Sequence, residues 1–321
     1  MMIIPILLIF VLLSILIAFA IGGNDETFAT IYGAKTLTMK EVLILATIFA
    51  IMGAFFLGQA VSETVGKNIL YIKITIPIVI TILVSTSIWL IVASYFELPI
   101  STTHATIGAI IGIGLFLGGG EGVNWVVIGE MALWWILSPI IGFVATYFTY
   151  KIIHKFIINK LDGFQDFERI ERLFAYILLG SICLTAFARA GNDCSNAVGI
   201  VVGVGDVDIN LLLFITGLSL ASGIVILGRG VIKNLSKITE LHPSTAFAAE
   251  IPTAIILLIG TIRGIPLSGS HMLVASLVGL AKARKAPMKK GLWKIIIIWL
   301  ITLPMAGVLA IIIYGPISLF F

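Results

Sequence analysis

Gly23-Asn24-Asp25 closes one long apolar run of the chain, and Gly191-Asn192-Asp193 closes another. A second polar motif follows each of these segments. Pro99-Ile100-Ser101-Thr102-Thr103-His104 in the first half corresponds to Pro266-Leu267-Ser268-Gly269-Ser270-His271 in the second half. Both pairs of motifs keep their order and nearly the same spacing. The sequence therefore predicts an internal duplication, in which polar residues interrupt apolar sequence at matched places.

The composition indicates the environment in which this duplicated chain folds. Of its 321 residues, 60% are hydrophobic and 11% are charged, and the mean hydropathy is +1.16. Soluble domains carry about 25% charged residues. Apolar runs of about 20 residues are long enough to cross a bilayer as helices. We therefore expect an all-α integral membrane protein. The net charge of +4 then reflects basic loops on one side of a membrane and gives no reason to expect nucleic acid.

Two re-entrant helical hairpins are predicted, over 74–117 and 243–281. In each of them, two apolar segments are joined by only a few residues, 97–99 and 263–265, which lead directly into a polar motif. The predicted apolar segments are 2–21, 41–62, 74–96, 100–117, 123–150, 172–190, 209–228, 243–262, 266–281 and 293–315. A hairpin enters and leaves the membrane by one face, so about six full transmembrane helices remain.

The basic residues predict the orientation of the chain. If the hairpins do not cross the membrane, one side carries only Lys67 and Lys73, and the other side carries most of the remaining Lys and Arg residues. The positive-inside rule assigns the basic side to the cytoplasm. Both termini of this multi-pass protein of the cell membrane are then predicted to be extracytoplasmic.

The same topology predicts how the chain is divided. Repeat one covers 1–158, a cytoplasmic linker covers 159–171, and repeat two covers 172–321. An odd number of crossings separates the starts of the repeats, provided that 123–150 crosses once, so the repeats are inverted. The two hairpin tips then meet near the membrane midplane. Inverted repeats with interrupted helices are typical of secondary transporters, whose sites lie between the repeats.

Carboxylates in the apolar sequence predict cation binding. A charged residue at the bilayer centre costs about 2.5–3.5 kcal/mol even on a lenient scale. Glycine lets a helix break and expose carbonyls, and Asn and Asp add hard oxygen ligands that suit Na⁺. The predicted cation-binding residues are Asn24, Asp25, Asn192, Asp193, Asn196 and Glu250, with Na⁺ at Asn24, Asp25, Asn192 and Asp193. An interhelical hydrogen-bond cluster is the alternative.

The Ser/Thr motifs predict an anion site. Proline suits the first turn of a helix, and Ser or Thr suits its N-cap. Two helix N-termini that converge on one point offer amides and dipoles to an anion. The predicted ligands of a tetrahedral oxyanion are Ser101, Thr102, Thr103, Ser268, Gly269 and Ser270, with Asp25 and Asp193 beside them. The alternative is a pair of ordinary capped helices.

Five further residues are predicted to be gate or accessory residues: His104, His271, Arg189, Arg263 and Glu97. Each histidine lies one turn inside its helix and either donates to the anion or packs against a neighbour. Arg189 either attracts anions or only neutralises Asp193. Arg263 lies at a hairpin tip and is the better gate candidate.

At these motifs the chain resembles the inorganic phosphate transporter family, the PiT-type phosphate permeases. The family signature is a duplicated Gly-Ala-Asn-Asp-Val-Ala-Asn-Ala together with a duplicated Pro-Val-Ser-Thr-Thr-His. Residues 190–197 and 99–104 come close to it, and the resemblance extends over almost the whole chain. It implies phosphate uptake coupled to Na⁺ or H⁺, with ion ligands from the Asn-Asp segments and phosphate ligands from the hairpins. It also implies a homodimer.

Three of the departures from this signature concern possible ligands. In the first half, Glu26 stands in place of Val, and Phe28 stands in place of the last Asn, which removes a cation ligand. In the second half, Gly269 interrupts Ser-Thr-Thr and removes a hydroxyl. Related branches of the family carry sulfate, so these changes leave the choice of oxyanion open.

The predicted function is phosphate uptake by cation symport with alternating access, with Na⁺ favoured over H⁺. The alternatives are a sulfate or other oxyanion permease of the same architecture, and an anion channel. An enzyme is not expected, because the Ser and His residues lack an activated nucleophile arrangement and no metal-ligand spacing appears. The expected partners are phosphate and the lipid bilayer, with no cofactor besides the coupling ion.

Overall fold

The computed structural model describes residues 3–96, 100–204, 207–288 and 292–320, and almost all of them are helical. The helices are α1 (Ile3–Gly23), α2 (Ala29–Gly33), α3 (Met39–Lys67), α4 (Ile76–Tyr95), α5 (Thr102–Gly118), α6 (Trp125–Phe156), α7 (Phe164–Val202), α8 (Ile209–Gly223), α9 (Arg229–Leu235), α10 (Pro243–Ile262), α11 (Gly269–Arg284) and α12 (Leu292–Ser318). Short 3₁₀ turns cover Gly119–Gly122 and Ile158–Lys160, and a π-helical turn, Ile224–Gly228, joins α8 to α9.

The prediction of an all-α membrane protein is confirmed. Within the described ranges, the only strand-like pairing is an isolated bridge between Leu70 and Val123. Nine helical segments of the described chain are long and apolar enough to cross a membrane. The helices differ in burial. Few residues of α6 and α12 are buried, as expected beside lipid, whereas α5 and α10 are largely buried.

Helix contacts recur in the two halves. In the second half α7 packs against α10 and α3, and in the first half α1 packs against α4 and α8. In the same way, α5 packs against α12, and α11 packs against α6. Each of these contacts in one half thus has a counterpart in the other. The matching pairs of helices are α1 and α7, α3 and α8, α4 and α10, α5 and α11, and α6 and α12. This supports the predicted duplication, while the inversion of the halves and their division at 159–171 stay predictions.

Glycines let the matched helices approach closely. A Cβ added at Gly53 of α3 would lie 2.1 Å from the Phe187 carbonyl oxygen of α7. In the equivalent α8–α1 contact, a Cβ at Gly223 would lie 2.1 Å from the Phe19 oxygen. Small residues at helix crossings allow backbone contact where lipid provides no hydrophobic driving force. Close helix packing at a glycine therefore occurs at the corresponding contact of both halves.

The prediction that each Asn-Asp segment follows a helix end is correct only in the first half. The first Asn-Asp segment does follow a helix end, since α1 ends at Gly23 and the chain turns before α2. The second segment does not, because α7 continues without interruption through Gly191. A Cβ at Gly191 would lie 2.6 Å from the Leu57 Cβ, so this glycine provides room for α3. Close packing, and not a helix break, explains its place in the motif.

Other boundaries also differ from those predicted. Helix α7 begins at Phe164, so the latter part of the predicted linker 159–171 is helical. The helix predicted to end at residue 228 continues through the π-helical turn to Leu235. The first hairpin connection, which includes Glu97, lies outside the described residues, so the predicted gate role of Glu97 stays a prediction.

The contact between α5 and α12 gives a test of this packing. A Cβ at Gly112 would lie 2.6 Å from Gly307 Cα, so Gly112→Leu must separate the two helices. We expect the melting temperature of the purified protein to fall by roughly 5 °C or more. Gly129→Leu is the matched control, because a Cβ there meets nothing within 4 Å. Equal melting temperatures for the two variants would contradict the assigned contact.

Candidate functional site

The candidate site is built where the two hairpin tips exchange hydrogen bonds. The Thr103 hydroxyl at the start of α5 donates to the Leu267 carbonyl oxygen at 2.9 Å. The Ser270 hydroxyl at the start of α11 donates to the Ile100 carbonyl oxygen at 3.1 Å. Each tip therefore satisfies a backbone oxygen of the other. The two bonds occupy corresponding positions of the duplicated motif and hold the helix starts together.

Both helix starts are capped by the first serine of their motif. The Ser101 side chain accepts a hydrogen bond from the His104 amide, and the Ser268 side chain accepts one from the His271 amide. An N-cap satisfies only part of the first-turn amides, and a helix N-terminus carries partial positive charge. The Gly269 amide has no hydrogen-bond partner among the described residues. Two buried, positively polarised helix ends thus lie side by side.

Arg189 lies at the centre of the charged groups. Its Nε donates to Asp193 Oδ2 at 3.1 Å, and its Nη1 donates to Glu26 Oε1 at 2.8 Å. Its Nη2 donates to the Ser270 hydroxyl at 3.2 Å, and Nε lies 3.8 Å from Asp25 Oδ1. All five of these residues are buried. Buried charges persist only when they are paired and hydrogen-bonded, and here one guanidinium serves three carboxylates.

The two aspartates of the Asn-Asp segments are held differently. Asp193 accepts a hydrogen bond from the Thr102 hydroxyl of the first hairpin at 2.8 Å. Asp25 accepts from the amide and the hydroxyl of Thr27, at 2.7 and 2.5 Å. Thr27 was not among the predicted site residues, and its role depends on the turn that follows α1. The sequence carries no signal for that turn beyond the preceding glycines.

The asparagines attach the Asn-Asp segments to the hairpin tips. Asn24 Oδ1 accepts from the Ile100 amide at 3.0 Å, and Asn192 Nδ2 donates to the Ile265 carbonyl oxygen at 3.0 Å. Asn196 Nδ2 lies 3.4 Å from the Thr103 hydroxyl. The predicted residues of the Asn-Asp segments and of the hairpins are therefore in one place, in direct contact.

Several buried oxygens at or near the site lack a hydrogen-bond partner among the described residues. They are Glu26 Oε2, Asn192 Oδ1, Asn196 Oδ1 and Glu250 Oε1. The other Glu250 oxygen accepts from the Thr30 hydroxyl at 2.7 Å. Buried oxygens of this kind need a partner, and a hard monovalent cation takes such ligands. The donor set fits Na⁺.

The predicted accessory histidines belong to an aromatic cluster beside the tips, in which the rings meet edge-to-face or at a tilt. The His104 and His271 ring centroids lie 4.6 Å apart. Trp135 lies 4.3 Å from His104 on one side, and Trp299 lies 4.1 Å from His271 on the other. Trp135 Nε1 also donates to the Pro266 carbonyl oxygen at 2.9 Å. These contacts are those of residues that position the tips, and neither tryptophan was predicted at the site.

A cavity of about 410 Å³ reaches the second hairpin tip from the ends of α3 and α6. It is lined by Thr64, Asn68, Glu130, Trp134, Arg263 and Ile265, among others. Arg263 is exposed at the end of α10. It therefore lines this cavity and is apart from the buried Arg189 cluster. Gly264, next to it, has φ of 72°, a conformation that glycine adopts readily.

Glu26 is the functional residue that sequence reasoning left out of the predicted ligand set. It is fully buried and bonded to Arg189 across 163 residues of sequence separation. A carboxylate inside an apolar motif was the available signal, since such a group requires a partner. Which residue would be that partner depends on the tertiary packing of α7 beside the turn after α1.

Comparison with known proteins agrees with this geometry. The sequence model of the phosphate transporter family matches residues 21–310. The chain belongs to the phosphate transporter family. A candidate phosphate permease of Pyrococcus furiosus is 30% identical over 97% of this chain and 96% of its own. An inorganic phosphate transporter of Arabidopsis thaliana chloroplasts is 25% identical over 92% of this chain and 69% of its own.

The fold of this family member also has a solved counterpart. A structure described as the sodium-dependent phosphate transporter superposes with a TM-score of 0.89, at 23% identity, over 99% of this chain and 100% of the other. The match to the family model confirms the predicted family, and this superposition confirms the predicted fold. The roles of individual site residues stay predictions.

The exchange of bonds between the tips can be tested at Thr103. Thr103→Val leaves the Leu267 oxygen without its donor, which costs about 1–3 kcal/mol for a buried group. We expect a lower melting temperature of the purified protein. Thr106→Val is the control, because the Thr106 hydroxyl bonds only the Thr102 oxygen of its own helix, at 3.3 Å. A Thr103→Val protein as stable as Thr106→Val would argue against the exchange.

Proposed function

We propose that this phosphate transporter takes up inorganic phosphate by cation symport with alternating access, and that Na⁺ is the coupling ion. The observation that carries the proposal is the meeting of two buried helix starts with both Asn-Asp segments. The helix starts offer amides and hydroxyls to an anion, and the Asn-Asp segments offer oxygens to cations. Binding of each ion then lowers the electrostatic cost of binding the other.

The acids beside the helix starts favour phosphate over sulfate. At neutral pH phosphate keeps at least one proton, whereas sulfate keeps none. A protonated oxyanion can donate a hydrogen bond to Asp25 or Asp193, and a fully ionised one meets only repulsion there. Ser101, Thr102, Thr103, Ser268, Gly269 and Ser270 are the proposed ligands of the remaining phosphate oxygens.

Charge balance supports the coupling. Asp25, Glu26 and Asp193 carry three negative charges when ionised, against the single positive charge of Arg189. The protein alone therefore leaves the site negative, so anion binding is weaker before cations enter than after. The unpartnered oxygens of Asn192, Asn196 and Glu250 are the proposed ligands, together with Asn24, Asp25 and Asp193. The sodium dependence of the structurally similar transporter supports Na⁺ over H⁺.

The cavity at Arg263 is the proposed extracytoplasmic entrance, with Arg263 attracting anions. Its lining includes the ends of α3 and α6, which the distribution of basic residues assigns to the outside. The tip residues Ile265 and Pro266 separate it from Thr103 and Asn192. Alternating access then requires these tip contacts to break and re-form. Extracytoplasmic termini and a homodimer are part of the same proposal.

Uptake into proteoliposomes tests the coupling. We expect an inward Na⁺ gradient to drive phosphate uptake, and Asp193→Asn to abolish it, because the variant removes a cation ligand and the partner of Thr102 and Arg189. Asp166→Asn, on an exposed turn of the same helix, is the control and should transport normally. Uptake driven only by a pH gradient would assign H⁺ instead. Flux that ignores both gradients would indicate a channel, and stronger competition by sulfate than by arsenate would indicate another oxyanion.

Labelling tests the proposed entrance and the orientation. Glu130→Cys lines the cavity at the α3–α6 end, and Lys237→Cys lines a separate cavity on the predicted cytoplasmic side. We expect a membrane-impermeant thiol reagent to label Glu130→Cys in intact cells and Lys237→Cys only after permeabilisation. The reverse pattern would invert the proposed orientation. The unsubstituted protein, with buried Cys194 and half-buried Cys183, gives the background.

A further inference from the structure

The two hairpin motifs are not equal at their second position. Ser101 corresponds to Ser268, Thr102 to Gly269, Thr103 to Ser270 and His104 to His271. The other residues of the two motifs make matched contacts. The first residue caps its helix, the third donates its hydroxyl to the opposite tip, and the two histidine rings at the fourth position are in edge-to-face contact. At the second position, the Thr102 hydroxyl bonds Asp193, but Gly269 has no side chain to offer to Asp25.

The guanidinium of Arg189 lies where a side chain at position 269 would be. A Cβ added at Gly269 would lie 2.9 Å from Arg189 Nε and 3.0 Å from both Cδ and Cζ. Three hydrogen bonds fix this guanidinium, so it cannot withdraw without losing them. Its Nε lies 3.8 Å from Asp25, the carboxylate that lacks a hairpin hydroxyl. Arg189 therefore takes the place of the missing side chain.

Glu26 balances the charge that Arg189 brings. The two groups are bonded at 2.8 Å and are almost completely buried. Their charges cancel, so the pair leaves the charge of the two Asn-Asp aspartates unchanged. Without this carboxylate, the two Asn-Asp aspartates alone would have to balance the positive charge of Arg189.

We propose that Arg189 is a fixed anion ligand of this site, and that Gly269 and Glu26 are the two residues that make room for it and balance it. Arg189 has five N–H groups and uses three of them within the protein. One of the two remaining donors is on Nη2, the nitrogen that bonds Ser270, and Ser270 is one of the proposed phosphate ligands. A guanidinium binds the oxygens of phosphate in a planar, charge-assisted way that a threonine hydroxyl does not.

This inference rests on the proposed function and adds one consequence to it. A ligand with a permanent positive charge acts on the anion before any cation enters. Phosphate should therefore bind measurably to this protein without Na⁺, and Arg189 should carry that binding.

The test uses a double variant, Glu26→Gln with Arg189→Gln, which removes both charges of the pair and leaves the net charge of the site unchanged. Isothermal titration calorimetry of the purified, full-length protein measures phosphate binding with and without Na⁺. We expect Kd for phosphate to rise about tenfold or more, with the largest change in the absence of Na⁺. Glu168→Gln with Arg172→Gln, which removes an exposed pair also at 2.8 Å, is the control.

Gly269→Thr provides an independent arm. In the otherwise unchanged protein its side chain displaces the guanidinium, and we expect phosphate binding to weaken as in the double variant. In a background that combines Glu26→Gln with Arg189→Ala, which removes Cδ together with the guanidinium, the same threonine has room and should restore binding in part. Arg189→Lys keeps the charge but not the planar donor group and should give an intermediate Kd.

The outcomes separate the two proposals. If the unchanged protein neither binds nor transports phosphate, the proposed function fails. If it does, but the double variant or Arg189→Lys binds phosphate as tightly as the unchanged protein, Arg189 is not a ligand. Should the double variant not fold, Arg189→Lys and Gly269→Thr decide. Binding unaffected by both would overturn the inference.

Discussion

Thr103 and Ser270 each donate a hydrogen bond to the opposite hairpin, and this exchange holds two helix starts against each other inside the protein. A helix that begins away from water must satisfy its first amides with groups of the protein or of a ligand. The caps at Ser101 and Ser268 satisfy some of these amides, and the remainder give the site its positive polarity. The acids of the Asn-Asp segments then lie beside positive helix ends, which lowers the cost of burying them. The contact between the tips therefore keeps both helix starts beside the carboxylates and Arg189, as the Thr102–Asp193 and Arg189–Ser270 bonds show.

The contacts between the two helix starts are symmetric, whereas the charged groups around them are not. Corresponding residues of the two halves cap their helices, exchange hydroxyl hydrogen bonds and bring their imidazole rings into contact. In contrast, a single arginine from α7 pairs with all three carboxylates. In an alternating mechanism the tip contacts break on one side at a time. A guanidinium anchored to α7 by Asp193 stays with the second half, while Glu26 and Asp25 belong to the first. The pairs that Arg189 forms across the halves therefore resist their separation, and ions that enter the site compete with those pairs.

The sequence was sufficient to predict the elements that repeat. Two copies of each motif predicted a duplication, and short connections predicted two hairpins with adjacent tips. The Thr103–Leu267 hydrogen bond shows that the two polar motifs are adjacent, and the re-entrant course of the hairpins stays a prediction. The contacts that have no second copy were not predictable in the same way. The partner of Glu26 lies on a helix distant in sequence, and the tryptophans beside His104 and His271 come from α6 and α12, which carry no motif. Gly191 shows the limit of a motif itself, since one glycine precedes a turn at residue 23 and its counterpart only provides room for α3.

That difference at Gly191 also constrains how cations can bind. Because α7 is continuous, its carbonyls are used by its own hydrogen bonds, and the second half must supply oxygens from side chains, such as Asn192 and Asn196. The first half turns after Gly23, and the residues that follow are outside any helix until Ala29, so their backbone can contribute. Phe28, which replaces the asparagine of the signature, removes a side-chain ligand in the half where backbone oxygens are available. The two halves would then hold cations with different kinds of oxygen, even though their motifs are nearly the same.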